Sequence, residues 1–212
     1  MGIFSRLVRR CSASDLQSLK DPDRSSATSL SASQSSVSSR SSSQSHNQRG
    51  KKLGKKHKSA NVKAAEALVE QFNRGSMQPE KWVALWESPE EHGFILEDGF
   101  SLNAPTLMAC LENFRACFPD VHFTYESVRE EVPGRVVIEG FKCRGTHTGN
   151  AYAPAPGLPA IPATGKFCEN DEERFCLKLN QGKIVSCHVI ALGTYTGFAG
   201  FYEQIGGSLV HL

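Results

Sequence analysis

Apolar and polar positions divide the chain into two unlike parts, because apolar side chains recur with regular periods only from about Asn61 onward. Val62, Ala65, Leu68, Val69 and Phe72 fall at helical spacing, with Lys63, Glu66, Glu70 and Arg74 on the other side. Gly75 closes this helix in the manner of a C-cap. Pro79 suits the first turn of a second helix carrying Trp82, Val83, Leu85 and Trp86. Gly93–Glu97 reads as a short strand ended by the turn dipeptide Asp98-Gly99. Asn103 is placed to cap a third helix, Pro105–Phe118, with Leu107, Met108, Leu111, Phe114 and Phe118 as its buried stripe. Pro119-Asp120 ends it.

From there the period changes to two. Val121–Glu130 is a strand with Val121, Phe123 and Tyr125 on one face, and Val132–Arg135 turns into the next. Arg135–Gly149 alternates Val137, Glu139, Phe141, Cys143 and His147 against Val136, Ile138, Lys142, Arg144 and Thr146. Gly140 and Gly145 mark it as bent, since an interior glycine signals a bulge or a close backbone approach. Phe167–Leu179 reads as a third long strand, with Phe167, Glu169, Asp171, Glu173, Phe175, Leu177 and Leu179 on one face. Asn180–Gly182 turns into Lys183–Thr194, where Ile184, Ser186, His188, Ile190 and Leu192 share a face. Phe198–Ile205 adds a short closing helix or strand. The fold class is α+β, a bent antiparallel sheet packed against three N-terminal helices. Its concave mouth is a natural small-molecule pocket.

Asn150–Pro162 has four prolines and is a loop, yet it carries Tyr152, Leu158 and Ile161. It is expected to fold over the pocket mouth or a partner subunit. Trp82 and Trp86 stack on one helical face as core packing or as an aromatic pocket wall, and Phe123, Tyr125, Phe141, Tyr152 and Phe175 are expected to line the pocket.

Charge sharpens the division. Residues 1–60 hold 12 Lys and Arg against 3 Asp, and residues 61–212 hold 12 against 19 Asp and Glu. The acidic part is therefore a poor unspecific nucleic-acid surface. Residues 1–60 read as a disordered basic tail: Ser25–Ser45 contains 13 serines in 21 residues and cannot bury enough surface to order itself. Arg49–Lys58 carries six Lys and Arg, a contact for nucleic acid or anionic membrane, a nuclear-import signal or a solvated linker. Met1–Ser12 reads as an amphipathic or targeting segment, with Gly2 and Cys11 as imperfect lipidation sites, or as an unmodified start. No apolar run spans a bilayer. Seven cysteines without a CxxC pair suit free buried thiols in a reducing compartment, with disulfides or a metal site as the alternatives. The expected location is intracellular, the cytoplasm first, with nucleus, organelle or membrane periphery open through the tail.

Three polar groups interrupt the apolar alternation: His147, Glu173 and His188. If their faces line the hollow, a carboxylate and two imidazoles converge there. Burial would raise the acid into the range of a general base, and an imidazole would relay or donate a proton. That pairing suits isomerisation, aldol or dehydration chemistry at a carbonyl. Structural hydrogen bonding is the alternative for each. No compact metal-ligand spacing occurs.

Four segments in order carry a resemblance: GTHTG at Gly145–Gly149, PATGK at Pro162–Lys166, GKIV at Gly182–Val185 and EQIG at Glu203–Gly206. With these, residues 61–209 resemble the SnoaL-like polyketide cyclases of the nuclear-transport-factor-two-like superfamily. The resemblance implies an alpha-beta cone, a homodimer formed through the sheets, and a hydrophobic small-molecule ligand. It also implies aldol closure by an acidic general base with neither metal nor cofactor. Such cyclases carry an E-H-W segment after GKI and then an aspartate base. Here the matching stretch is Ser186–His188, and the aspartate's place falls at about Leu192. The function expected is a cofactor-independent cyclase, isomerase or dehydratase, or else a non-catalytic binding module located by its basic tail.

Overall fold

The computed structural model describes residues 58–96 and 99–209. The expected tail segments before Lys58, and the Asp98 half of the first turn, lie outside the described residues. Helix α1 (Ala60–Phe72) starts where the Ser59 side chain accepts the Val62 N–H at 3.2 Å, and it buries Ala65, Leu68 and Phe72. Helix α2 (Pro79–Val83) has Pro79 in its first turn and is only five residues long. Helix α3 (Ala104–Cys117) begins where the Asn103 side chain accepts the Thr106 N–H at 2.9 Å, and it buries Leu107, Leu111 and Phe114. Helix α1 packs across the sheet, α2 packs on α3, and a fourth helix, α4 (Gly197–Gln204), lies beside the strand Phe167–Glu169.

The strands are β1 (Phe94–Ile95), β2 (Ser101–Leu102), β3 (His122–Thr124), β4 (Ser127–Val132) and β5 (Arg135–Thr146). They are followed by β6 (Phe167–Glu169), β7 (Glu173–Asn180) and β8 (Lys183–Ala191). The order is β2-β1-β8-β7-β5-β3, with β4 and β6 also on β5. Strand β5 organises the sheet: its first half pairs with β4 and β7, its second with β3 and β6. Pairing is antiparallel except between β1 and β8, which run parallel. The result is an α+β cone.

Two of the expected long strands are broken. The first is interrupted at Tyr125-Glu126 and the other at Asn170–Glu172. Strict alternation also fails twice. Register shifts on β5 between Ile138 and Phe141, where Gly140 takes φ +64° with Glu126 packed against it. A bulge inserts one residue, so everything beyond it changes face. Val136 and Ile138, not Val137 and Glu139, therefore share the inner face with Phe141 and Cys143. On β8, Leu179 pairs with Ile184 while Lys178 pairs with Ser186, leaving Val185 as the extra residue. Past that bulge the inner residues are Cys187, Val189 and Ala191, and His188 and Ile190 face out.

Candidate functional site

Helices and curled sheet enclose a cavity of about 720 Å³. Its floor is the inner face of β5, β7 and β8 (Phe141, Cys143, Phe175, Val189), and α3 roofs it with Leu107, Leu111 and Phe114. Phe72 of α1 reaches Phe123, Phe141 and Phe175 with ring centroids 5.4–6.3 Å away, an edge-rich cluster typical of aromatic cores. The last wall is the strap from Gly193 to Phe201.

The strap is fastened by polar bonds. The Asp171 carboxylate accepts the Thr194 and Tyr195 N–H groups at 2.7 and 2.9 Å. The Tyr152 hydroxyl donates to the Phe198 carbonyl at 3.0 Å. Gln204 exchanges side-chain bonds with the Glu169 backbone at 2.9 and 3.2 Å. Gly193 lies so close to Asp171 that a Cβ there would stand 2.3 Å from the Asp171 side chain.

Into this hollow β7 delivers Glu173, opposite Phe141 and Ala191 and only 6% exposed. Among the described residues no cation pairs with it. Burial pushes its carboxyl from 4.5 up to about 7, and the nearby Gly197 amide pulls the other way. The acid thus changes charge near neutrality, as a general base requires. The Cys143 thiol beside it is pushed well above its usual range by burial, so it is no nucleophile here.

The expected convergence with two histidines is corrected. His147 is fully buried, but behind the cavity wall, its ring stacked on Phe118 at 5.0 Å. Its Nε2 donates to the Asn150 carbonyl at 3.1 Å. That carbonyl can only accept, so the proton sits on Nε2, and Nδ1 takes the Thr164 N–H at 3.4 Å and its hydroxyl at 3.3 Å. Both nitrogens are occupied. His188 is exposed on the outer face, paired in register with Cys176 and Ile95.

Of the expected pocket residues, Phe123, Phe141 and Phe175 line the cavity. Trp82 is core, its Nε1 donating to the Ala104 carbonyl at 2.7 Å, and Trp86 packs beside it at 6.1 Å. Tyr125 is 39% exposed in the break between β3 and β4. Tyr152 is buried under its proline loop against Phe114 and Phe118, so the loop backs α3 and α4 instead of covering the mouth. Leu192, at the place of the family's aspartate, is 48% exposed.

Sequence reading missed Asn170, 4% exposed and lining the cavity next to Cys143, and it missed the strap. The glycines at 193, 197 and 200 were the available signal, since clustered glycines mark close backbone approach. Among the described residues no group of three metal-ligating side chains gathers.

No protein-family model and no curated protein matches this sequence. Solved structures do match in fold. AclR, a candidate hydroxylase of Streptomyces galilaeus, is 17% identical over 70% of this chain and 83% of its own, with a TM-score of 0.51. The chain shares the fold of AclR. A candidate SnoaL-like polyketide cyclase of Jannaschia Sp. CCS1 is 17% identical over 62% and 84%, TM-score 0.48. An NTF2-like protein of unknown function from Burkholderia pseudomallei is 13% identical over 70% and 99%, TM-score 0.48. At these identities the likeness concerns the fold.

Proposed function

We propose that this SnoaL-like protein binds an apolar small molecule in the cone and that Glu173 acts on it as a general acid-base. A neutral carbonyl compound with an acidic adjacent carbon suits it best. The observation that carries this reading is Glu173 itself, a carboxyl group without a counter-cation among the described residues, held near 7 in a hollow of about 720 Å³. A structural protein gains nothing from such a group, because burying a charge without a partner costs stability. Proton abstraction beside a carbonyl is the step shared by isomerisation, dehydration and aldol closure, and it needs no cofactor. The test follows the α-proton exchange of 2-tetralone in deuterated buffer by NMR. Wild type accelerates the exchange, and Glu173→Gln loses about a hundredfold or more of the acceleration. Equal rates in both proteins reject the base.

A second reading is favoured by one observation: neither histidine stands beside Glu173 to complete an acid-base pair. On that reading the cone is a binding module and its tail supplies location. Three further proposals accompany both readings. Residues 61–212 form the cone domain and residues 1–60 a basic tail that contacts anionic membrane or nucleic acid. A homodimer forms through the outer sheet face, where Arg129 and Arg174 bridge to Glu139 at 2.9 and 2.6 Å. The cytoplasm is the first location to test; no described helix is long and apolar enough to cross a membrane.

A further inference from the structure

Asn170 lies in the gap between β6 and β7, three residues before Glu173. Its N–H donates to the Cys143 carbonyl at 2.9 Å, and its Oδ1 accepts the Cys143 N–H. A backbone N–H can only donate, so the atom turned to Cys143 is the amide oxygen, and Nδ2 is turned away from it. The residue is 96% buried and lines the cavity, yet Nδ2 has no hydrogen-bond partner among the described residues. The donor keeps accessible surface of its own and so opens onto the cavity, where a ligand's acceptor can reach it.

Its neighbour in space is the base. Asn170 flanks Cys143 of β5, while Glu173 flanks Phe141, two residues back on the same face. Two residues along a strand span about 7 Å. That is roughly the reach from a donor on a carbonyl oxygen, through the carbonyl and its adjacent carbon, to a base on that carbon's proton. Among the described residues no Lys, Arg or His lines the cavity, and its ionisable groups are Glu173, Glu203 and Cys143. Arg115 of α3 stands outside the lining, its Nε and Nη2 buried without partners, and its charge is felt at Cys143.

We propose that Asn170 is the cavity's second catalytic residue: its Nδ2 donates to the carbonyl oxygen of an uncharged, ring-bearing ligand whose adjacent carbon faces Glu173. The inference rests on the carbonyl reading above and names the oxygen-binding group and the charge class. The hydrogen bond strengthens as negative charge gathers on that oxygen during proton removal, which is where a donor speeds the reaction.

The test uses the full chain and three probes of similar size, measured by calorimetry at pH 8. These are 2-tetralone, which has the ketone, tetralin, which has no oxygen, and 2-naphthoate, which is an anion. The ketone is expected to bind about tenfold more tightly than tetralin, one hydrogen bond's worth, with the naphthoate weakest. Asn170→Asp keeps an oxygen for the Cys143 N–H and removes the donor; Asn170→Ala is the second variant. Both lose the preference for ketone over tetralin and keep the affinity for tetralin, which also reports that the cavity is intact. A ketone preference that survives in both variants overturns the inference, and so does naphthoate binding above the ketone that Arg115→Gln abolishes. The two readings fail separately. If Asn170 variants lose the ketone preference while Glu173→Gln exchanges protons as wild type does, the donor stands and the base falls. If exchange depends on Glu173 and the preference ignores Asn170, the base stands and the donor falls.

Discussion

His147 closes the end of β5 and Glu173 opens β7, so one curled sheet carries a buried imidazole and a buried carboxyl group. Around His147 the protein fills every direction: Phe118 lies on the ring, and a carbonyl, an N–H and a hydroxyl meet its nitrogens. Around Glu173 it leaves a hollow, with a backbone amide nearby and no cation among the described residues. Burial alone therefore does not mark a working group. A buried polar group with its bonds complete is part of the frame, and one left incomplete beside empty space is available to a ligand.

The largest effect that tests this contrast is a stability loss. His147→Ala empties a packed site and strands the Asn150 carbonyl and Thr164, a loss of about 3 kcal/mol in urea unfolding. The rate of 2-tetralone exchange per folded molecule stays at the wild-type value. A variant that folds as well as wild type but no longer exchanges protons would move His147 from frame to site and break the comparison.

Glu173→Gln gives the opposite signature. The folded protein holds the Glu173 proton up to about pH 7, whereas an ordinary glutamate releases it near 4.5. Folding is thus favoured by protonation: stability is complete below about 4.5, falls as pH rises through 4.5–7, and levels off above. The fall amounts to at most about 3 kcal/mol. Glu173→Gln removes that slope and is the more stable protein above pH 7, while its exchange activity is lost. Wild-type exchange rises with pH across the same window, since the base must be unprotonated. A wild-type stability profile as flat as the glutamine variant's rejects the raised carboxyl.

A smaller change sharpens why Glu173 faces inward. Gly140 sits at φ +64°, and a Cβ there would stand 2.2 Å from the Glu126 side chain. Gly140→Ala is expected to cost about 1–3 kcal/mol and to weaken 2-tetralone binding, because the bulge aligns Phe141 with Glu173. Undiminished binding would mean the bend does not set the cavity wall.

These same bulges separate what the sequence tells from what it hides. Helix α3 was legible because its cap and stripe are local, with Asn103 as the cap and Leu107, Leu111 and Phe114 lining it as spaced, whereas α1 ends at Phe72 with Asn73 as its C-cap and not at the expected Gly75. The inward turn of Phe141, Phe175 and Glu173 was legible too, each sharing a face with apolar neighbours. His188 was misplaced because parity counted from Ile184 ignores the residue inserted at Val185, and one inserted residue reverses every later side chain. His147 keeps the inward parity but lies past the cavity, and no period tells a hollow from a packed corner. Asn170 is functional in this account because of a strand break and of where its amide points, and neither is written in a hydrophobic pattern.

The smallest expected effect is at that misplaced residue. His188 stands on the outer face between Cys176 and Ile95, exposed and separated from the cavity by the sheet itself. His188→Ala should change unfolding free energy by no more than about 0.5 kcal/mol and leave exchange untouched, which stopped-flow NMR on both proteins at equal folded concentration checks. A lost exchange rate would require the outer face to reach the substrate and would undo the division between frame and hollow. A change confined to the concentration dependence of sedimentation has another meaning. It would assign His188 to contact between two copies, leaving Glu173 as the ionisable group that the cone holds in reserve for a ligand.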